Sequence, residues 1–237
     1  MRSILPLVSR CWLVFVLASA LSACAPRLPT QMPDEHAQVP AEFPQADYLR
    51  AAAAGKKVLR VDTRNSLVVI EVHRGGSLAR LGHDHAVASR DVTGYVLPEE
   101  GRADLYVQLD RLSVDEPALR AEAGFDTQPQ QSAIDGTRTN MLDKVLEAAR
   151  FPFALIQVTR KTDNPSQLIV SITLHGQRRN YDIAAHIKTD ASGTTVDGQM
   201  ALNQSDFGIA PFSILGGALQ VQDRVDLRFH VQTGLPI

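Results

Sequence analysis

Cysteine is almost absent from this chain. The 237 residues contain only Cys11 and Cys24, and we predict that Cys11 is removed on secretion and that Cys24 is blocked by a lipid. The sequence after Cys24 therefore has no cysteine nucleophile and no thiolate metal site, because both need a free cysteine. It has no internal disulfide either, so the domain must be held together by packing alone.

Apolar runs long enough to cross a bilayer as a helix are also missing. The longest, CWLVFVLASAL at residues 11–21, follows Arg2 and Arg10 and has the length of a signal-peptide core. It leads into Leu-Ser-Ala-Cys at residues 21–24, and small residues directly before a cysteine match the bacterial lipobox. We therefore predict a signal peptide at 1–23 and lipidation of Cys24. Because Ala25 stands where an inner-membrane retention aspartate would be, we expect outer-membrane anchoring that faces the periplasm.

The chain has no excess of positive charge. Its formal charge is −2, and loss of residues 1–23 removes two arginines and no acid, which leaves 22 basic and 26 acidic residues and a charge of −4. A nucleic-acid partner would require a basic face, and adhesion to anionic lipid headgroups would require one as well. We therefore expect membrane contact only through the lipid on Cys24.

Familiar catalytic motifs are not present. The sequence contains no G-x-S-x-G, no G-x-x-x-x-G-K-[ST] and no H-E-x-x-H pattern, so we expect a binding protein rather than an enzyme and no cofactor. The most chemically suggestive pair is His83 and His85. On a strand, residues i and i+2 point to the same side, so both rings could contact one group.

Several roles for this histidine pair are open. The rings could hydrogen-bond the polar end of a ligand or the rim of a barrel, or they could be ordinary surface histidines. They could also bind a metal, with Asp84 orienting a ring and a third ligand supplied from His73, His186 or His230. If the histidines bind a metal, the protein could be a metal-dependent enzyme, and we keep this as an alternative.

Proline separates the N-terminal part of the chain from the rest. Five prolines lie among polar residues in the segment 24–57, which predicts a tether, because proline disrupts both helix and strand pairing. A short helix is predicted at 46–54. We place the folded domain at 58–237.

Alternating apolar and polar residues dominate that domain. Each such run has one apolar face, as a half-buried strand requires, and several are joined by connections of hairpin length. The predicted strands are 58–63, 67–73, 85–97, 105–109, 152–160, 168–174, 183–187, 194–204 and 225–231. The pattern predicts an all-β antiparallel fold, either a closed barrel or a sandwich, and closure is favoured because it removes exposed strand edges.

One segment departs from this pattern. Residues 137–150 carry Met141, Leu142, Val145 and Leu146 at helical spacing, which predicts one amphipathic helix. It could plug an end of the barrel or act as a lid over ligand entry. The preceding stretch, 128–134, is interpreted as additional loop.

Three stretches in order resemble the YceI family, the periplasmic polyisoprenoid-binding proteins. They are ARFPFALI at 149–156, LIVSITLHGQRRN at 168–180, and NQSDFGI at 203–209 followed by VQDRVDL at 221–227. The agreement extends over roughly 58–234. The stretch GHDH at 82–85 is richer in histidine than the family's usual form.

This resemblance implies a lipocalin-like barrel of about eight strands whose cavity holds a long isoprenoid lipid. Such a barrel is wide enough either to hold one slender ligand or to fill itself with side chains, and in the second case the protein would be a structural or interaction lipoprotein. Phe153 and Leu155 would lie on the outer face, beneath the helix. The predicted ligand-binding residues are Leu105, Val107, Leu109, Ile156, Val158, Val170, Ile172, Leu174, Ile183, Leu227, Phe229, His83 and His85.

Overall fold

The computed structural model describes residues 39–190 and 193–237. The predicted signal peptide, Cys24 and the first part of the tether lie outside the described residues. A compact unit runs from Val39 to Ile237. Residues 39–57, which the sequence assigned to the tether, are thus part of this packed unit.

Twelve strands build the described domain. They are β1 (Leu59–Val61), β2 (Leu67–Gly75), β3 (His85–Ser89), β4 (Thr93–Leu97), β5 (Arg102–Gln108), β6 (Ser113–Val114), β7 (Phe153–Arg160), β8 (Gln167–Leu174), β9 (Gln177–Asp190), β10 (Gly193–Asn203), β11 (Ser213–Ile214) and β12 (Leu219–Pro236). The helices are α1 (Gln45–Ala53), α2 (Pro117–Glu122) and α3 (Gln131–Asn140), which continues into a π-helical turn at Met141–Val145. Short 3₁₀ turns lie at Thr63–Asn65, Ala79–Leu81, Pro98–Glu100, Leu109–Arg111, Gln204–Phe207 and Leu215–Gly217.

The sheet closes into an antiparallel barrel of eight strands. Its hydrogen-bonded order runs β1-β4-β5-β7-β8-β9-β10-β12, and β12 pairs back with β1. The edge of β12 that pairs with β1 also pairs with β2, so β1 and β2 form one interrupted barrel strand. In the same way, β3 and β4 form a second interrupted strand, and β5 and β6 form a third. Six of the twelve segments are therefore halves of three interrupted barrel strands, and the predicted closed barrel is confirmed.

An interruption divides one of the predicted strands, whereas β9 and β12 extend well beyond their predicted bounds. The strand expected over 85–97 is divided into β3 and β4 at residues 90–92. On one side of this break β3 pairs with β2, and on the other side β4 pairs with β1. A break of two or three residues leaves the apolar alternation almost intact, so the sequence pattern did not reveal it.

Two helices cover parts of the outer surface of the barrel. Tyr48 of α1 is fully buried, stacks on Tyr95 and donates a hydrogen bond from Oη to Asp104 Oδ2 at 2.6 Å. Phe153 and Leu155 pack in this cluster, so they lie beneath α1 and not beneath the predicted helix at 137–150. The helix α2, which the sequence analysis missed, covers β2 and β3 with Leu119 packed among Val69, Ala86 and Ala88.

The predicted amphipathic helix is present with different bounds. It begins at Gln131, earlier than the sequence predicted. Its first turns are polar and exposed, so they have no apolar face that could reveal a helix in the sequence. It ends at Val145, and Glu147 then adopts a positive φ of 45°, which a continuing helix cannot accommodate. Met141, Leu142 and Leu146 pack against the barrel interior. None of the helices within the described part of the chain is long and apolar enough to cross a membrane.

Candidate functional site

A cavity of about 590 Å³ lies inside the barrel, within the size range of ligand pockets. Its wall is formed by inward-pointing side chains of the barrel strands and by α3 with its π-helical turn. The wall is predominantly apolar, and polar side chains are concentrated at its two ends. All eleven apolar residues predicted to bind ligand line it, namely Leu105, Val107, Leu109, Ile156, Val158, Val170, Ile172, Leu174, Ile183, Leu227 and Phe229.

Strand alternation explains why these residues share one surface. On β7, Ala154, Ile156 and Val158 face the cavity, whereas Phe153 and Leu155 pack outside under α1. The sequence left open whether the apolar faces pack the core or surround a cavity. In the structure they do both, because residues such as Val170 and Ile172 belong to a packed cluster and also line the cavity.

One end of the cavity carries both predicted histidines. We call it the histidine end, and its polar lining residues are Arg74, His83, His85, Gln204 and Gln220. The two imidazole rings are roughly perpendicular, with centroids 6.3 Å apart. The Nδ1 atom of His83 is buried and has no hydrogen-bond partner among the described residues. The structure places both residues at the cavity wall, but His83 precedes β3, so the predicted i, i+2 geometry of a strand does not apply to the pair.

A buried ion pair holds His85 in place. Its Nδ1 lies 2.7 Å from Asp115 Oδ2, and the other carboxylate oxygen of Asp115 accepts hydrogen bonds from Arg120 Nη1 at 2.6 Å and from the backbone N–H of Ala86 at 3.0 Å. Burial alone would raise the pKa of Asp115. The hydrogen bond and charge of His85 and the hydrogen bonds from Arg120 and the backbone of Ala86 outweigh it, however, and hold this pKa below its ordinary value. Asp115 is therefore an ionised acceptor, and His85 Nδ1 donates to it.

The backbone at Asp115 is unusual as well. Its φ of 58° lies in the left-handed region, which aspartate tolerates better than most residues but which still costs conformational energy. The N–H of Asp115 donates to the carbonyl of Ala86 at 2.7 Å. Together with the side-chain bonds, this contact fixes the carboxylate directly beside β3.

Asp84 does not orient either histidine ring, contrary to one of our expectations. Its Oδ1 accepts a hydrogen bond from the backbone N–H of Arg74 at 2.8 Å, and the nearest imidazole that it pairs with is that of His73, at 3.8 Å. The orienting carboxylate is Asp115, thirty positions from His85. No sequence signal links these two residues, because only the pairing of β3 with β6 brings them together.

The remaining histidines do not complete a metal site in the part of the chain that the structure describes. No group of three or more His, Cys, Asp or Glu side chains in that part of the chain is placed to hold one ion. His73 lies between Asp84 and Asp226, at 3.8 Å from each, and His230 Nδ1 lies 2.6 Å from Asp197. His186, the third candidate, is on β9, in the register opposite Asp197.

The opposite end of the cavity has a different chemistry. We call it the arginine end, and its polar lining residues are Arg102, Arg160, Thr189, Thr194 and Thr233. The guanidinium of Arg102 lies over the ring of Tyr48, 4.9 Å from its centroid, and its Nε is 3.8 Å from Asp104. Arg160 is exposed and forms no ion pair with any residue of 39–190 or 193–237.

Comparisons with known proteins agree with this architecture. The chain is similar to a polyisoprenoid binding domain from Saccharophagus degradans implicated in plant cell wall breakdown, with a TM-score of 0.55 and 14% identity over 75% of this chain and 98% of that chain. It is also similar to BcnA of Burkholderia cenocepacia, with a TM-score of 0.48 and 13% identity over 73% of this chain and 98% of that chain. For the YCEI protein of Campylobacter jejuni the TM-score is 0.39, with 12% identity over 60% of this chain and 79% of that chain.

The first of these structures shows a shared fold, and at such low identity it shows no more than that. No curated protein sequence matches the chain. The model of the YceI-like domain, however, matches residues 60–233, which is most of the chain and nearly all of the barrel. The chain therefore belongs to the YceI family.

Proposed function

We propose that this protein binds one long apolar lipid, of the polyisoprenoid or isoprenoid-quinone type, inside the barrel. The observation that carries the proposal is the apolar cavity of about 590 Å³ that runs between two polar ends. The YceI family is a family of binding proteins, and the similar domain from Saccharophagus degradans is described as polyisoprenoid-binding. A slender chain with a polar end suits such a cavity better than a compact polar metabolite does.

The energetics of the cavity support an occupant. Burial of each CH₂ gains about 0.8 kcal/mol relative to water. Ten buried groups therefore supply roughly 8 kcal/mol, which corresponds to micromolar affinity before ordering costs.

The same arithmetic supports a carrier or a sequestering protein. A lipid tail in a bilayer is already in hydrocarbon, so its transfer into the barrel changes the apolar free energy very little. Uptake and release can then both proceed without a large barrier from hydration. This exchange is useful when the protein is held near a membrane.

We further propose that the protein is a lipoprotein of the cell envelope, anchored through Cys24 and facing the periplasm. The lipobox at 21–24 and the short apolar segment before it support this location. Mass spectrometry of the mature N-terminus should find acylated Cys24 as the first residue. An N-terminus at any other position, or an unmodified Cys24, would contradict the anchoring proposal.

The binding proposal is tested by identifying what the full-length chain retains. Organic extracts of the purified protein are analysed by mass spectrometry for wild type, for Ala154→Trp and for Ile169→Trp. Ala154 lines the cavity, so the larger ring should reduce bound lipid several-fold. Ile169 is 40% exposed on β8, so the same ring there should leave retention unchanged.

The expected result is about one isoprenoid lipid per wild-type chain. Thermal unfolding of both variants confirms that they are folded. Wild-type protein that contains no lipid and takes up no added isoprenoid would overturn the proposal, as would equal retention by the two tryptophan variants.

A further inference from the structure

Two neighbouring loops at the histidine end expose large apolar side chains. Leu81 is 65% exposed in the loop between β2 and β3, and Ile214 and Leu215 are 44% and 69% exposed in the segment that leads into β12. We call these three residues the apolar rim. Single exposed apolar residues are common on proteins, whereas a group of them beside a cavity marks a contact surface.

Backbone contacts hold the two loops together. The N–H of Leu78 donates to the carbonyl of Ala218 at 2.7 Å. The strand β11 pairs with the start of β12, which pairs in turn with the end of β2. Gly76 has a φ of 86°, and a Cβ atom there would lie 2.5 Å from the carbonyl oxygen of Ala218, so only glycine permits this approach. The two loops therefore form one surface at this end of the barrel.

The conformation of Leu215 is a second unusual feature of the rim. Its φ of 51° lies in the left-handed region, which leucine rarely adopts. Such a conformation persists only where the surrounding structure imposes it, and here the pairing of β11 with β12 closes a tight turn. A leucine that is strained and exposed adds little to the packing of the barrel. Its position favours contact with an apolar phase outside the protein.

The rim is continuous with the cavity. Leu81 lines the cavity although about two-thirds of its surface is exposed, so the cavity opens to solvent beside it. Phe212 and Leu219, which lie before and after the exposed tip of the second loop, line the cavity as well. An apolar path therefore runs from the inner wall of the barrel to the tips of the two loops.

The charges around the rim are compatible with a membrane surface. The sequence has no acidic residue at 75–83 or at 207–222, and Arg80 is the one Lys or Arg in these two stretches. The ammonium of Lys144 lies 6.0 Å from the ring centroid of Phe212. Basic side chains beside an apolar surface reach lipid phosphates while their stems remain in the apolar layer. Carboxylates would oppose such a contact, and these stretches contain none.

A protein partner fits the rim less well than a bilayer does. A stable interface between two proteins takes about 20–30 residues from each side, whereas the rim consists of three large apolar side chains. A bilayer requires no complementary shape. A few inserted side chains are sufficient when a second attachment, such as the proposed lipid on Cys24, keeps the protein close to the membrane.

We propose that the apolar rim enters the hydrocarbon layer of a bilayer and places the opening of the cavity against it. This inference rests on the proposed function and names the surface through which the lipid is exchanged. The isoprenoid chain then moves between the bilayer and the barrel over Phe212 and Leu219 without being exposed to water, which avoids the cost of hydrating it. The contact is apolar, so the overall acidic charge of the chain does not exclude it.

Tryptophan fluorescence tests the insertion of the rim. Full-length protein that carries Leu81→Trp, Leu215→Trp or Leu235→Trp is reconstituted into vesicles of phosphatidylethanolamine and phosphatidylglycerol, with or without bromine on the acyl chains. Bromine quenches tryptophan at short range, so the rings at 81 and 215 should lose most of their emission and shift to shorter wavelength. Trp12, the one native tryptophan, contributes equally to all three proteins.

Leu235 provides the matched control. It is 76% exposed at the opposite end of β12, and it is not one of the described residues that line the cavity. A tryptophan at this position is just as accessible to a membrane. Its fluorescence should remain unquenched, because only the rim is expected to enter the bilayer.

Removal of apolar surface should reverse the insertion. Ile214→Gln/Leu215→Asn is introduced together with Leu81→Trp, and asparagine tolerates the left-handed conformation at 215. The ratio of inserted to free rim, measured by quenching of the ring at 81, should fall at least about tenfold, which corresponds to about 1.4 kcal/mol. Leu235→Gln in the same protein should leave the quenching unchanged. Ile214 and Leu215 are not among the described residues that line the cavity, so the double variant should retain as much isoprenoid as wild type.

Several results would overturn the inference. They are equal quenching at 81, 215 and 235, unquenched rings at 81 and 215, or insertion that survives the double substitution. A wild-type dimer that Ile214→Gln/Leu215→Asn dissociates in analytical ultracentrifugation would mean that the rim binds a second copy of the chain. In each of these cases, isoprenoid retained by wild type leaves the proposed function intact. If wild type contains no isoprenoid and takes up none that is added, the proposed function itself fails.

Discussion

The two ends of the cavity differ in how their polar groups meet solvent. At the histidine end, Asp115 and Arg120 are buried and paired with each other, and His85 is fixed by that pair. At the arginine end, Arg160 is exposed and the side chain of Arg102 is 38% exposed. Buried groups give directed hydrogen bonds in a medium of low dielectric constant, whereas exposed charges are hydrated and screened.

This difference arises from what covers each end. The segment α3 with its π-helical turn contributes Thr137, Asn140 and Met141 to the cavity wall, and Arg120 comes from α2. The helix α1 packs on the outer face of the sheet and not inside the cavity. The buried Asp115–Arg120 pair and the exposed charge of Arg160 therefore contrast within one barrel, and the following changes test that contrast.

The largest effect should follow from breaking the buried ion pair. Asp115→Ala leaves Arg120 buried without its carboxylate, which typically costs about 3–5 kcal/mol. The free energy of unfolding from urea titration should fall by that amount. Asp126→Ala, which removes a largely exposed partner of Arg74, serves as the control and should change stability little. If both variants lost a similarly small amount of unfolding free energy, the buried ion pair would contribute no more to stability than the exposed one.

A smaller loss is expected at the outer cluster near the arginine end. Tyr48→Phe removes the hydrogen bond to the buried Asp104 carboxylate, and such bonds to charged groups contribute about 1.5–3 kcal/mol. Tyr95→Phe removes a hydrogen bond in which Arg60 donates at 3.2 Å, and it should cost less. Urea titration of both variants measures the loss of unfolding free energy. An equal loss for the two variants would refute this ranking.

The pH dependence of stability should show a third, smaller effect. Because the pKa of Asp115 lies below its ordinary value of about 3.9, the unfolded chain takes up this proton first as the pH falls. The stability that Asp115 contributes is complete above about pH 5 and is lost as the pH falls through 4 towards the lower folded pKa. The difference in unfolding free energy between wild type and Asp115→Asn should shrink over that window. A difference that stays constant down to pH 3 would contradict the pairing.

The smallest effect should come from the exposed charges. Arg160→Gln should leave the unfolding free energy within about 0.5 kcal/mol of wild type. A loss well above that value would mean that Arg160 carries a specific structural interaction.

Much of this description could be predicted from the chain itself. Alternation along β7 and β8 separated Ile156 and Val170, which line the cavity, from outward residues such as Leu155. Both His83 and His85 line the cavity, but His83 precedes β3, so their strand spacing does not account for this placement. What was missed has no local pattern: α2 is only six residues long, and the first turns of α3 are polar.

The sequence by itself determined the strand periodicity and the inward apolar faces, because these follow from the two-residue repeat of an extended chain. Only the tertiary structure decided that Asp115 and not Asp84 orients His85. Those contacts join residues far apart in the chain, and they form only when barrel closure sets the register of β3 against β6 and packs α2 beside them.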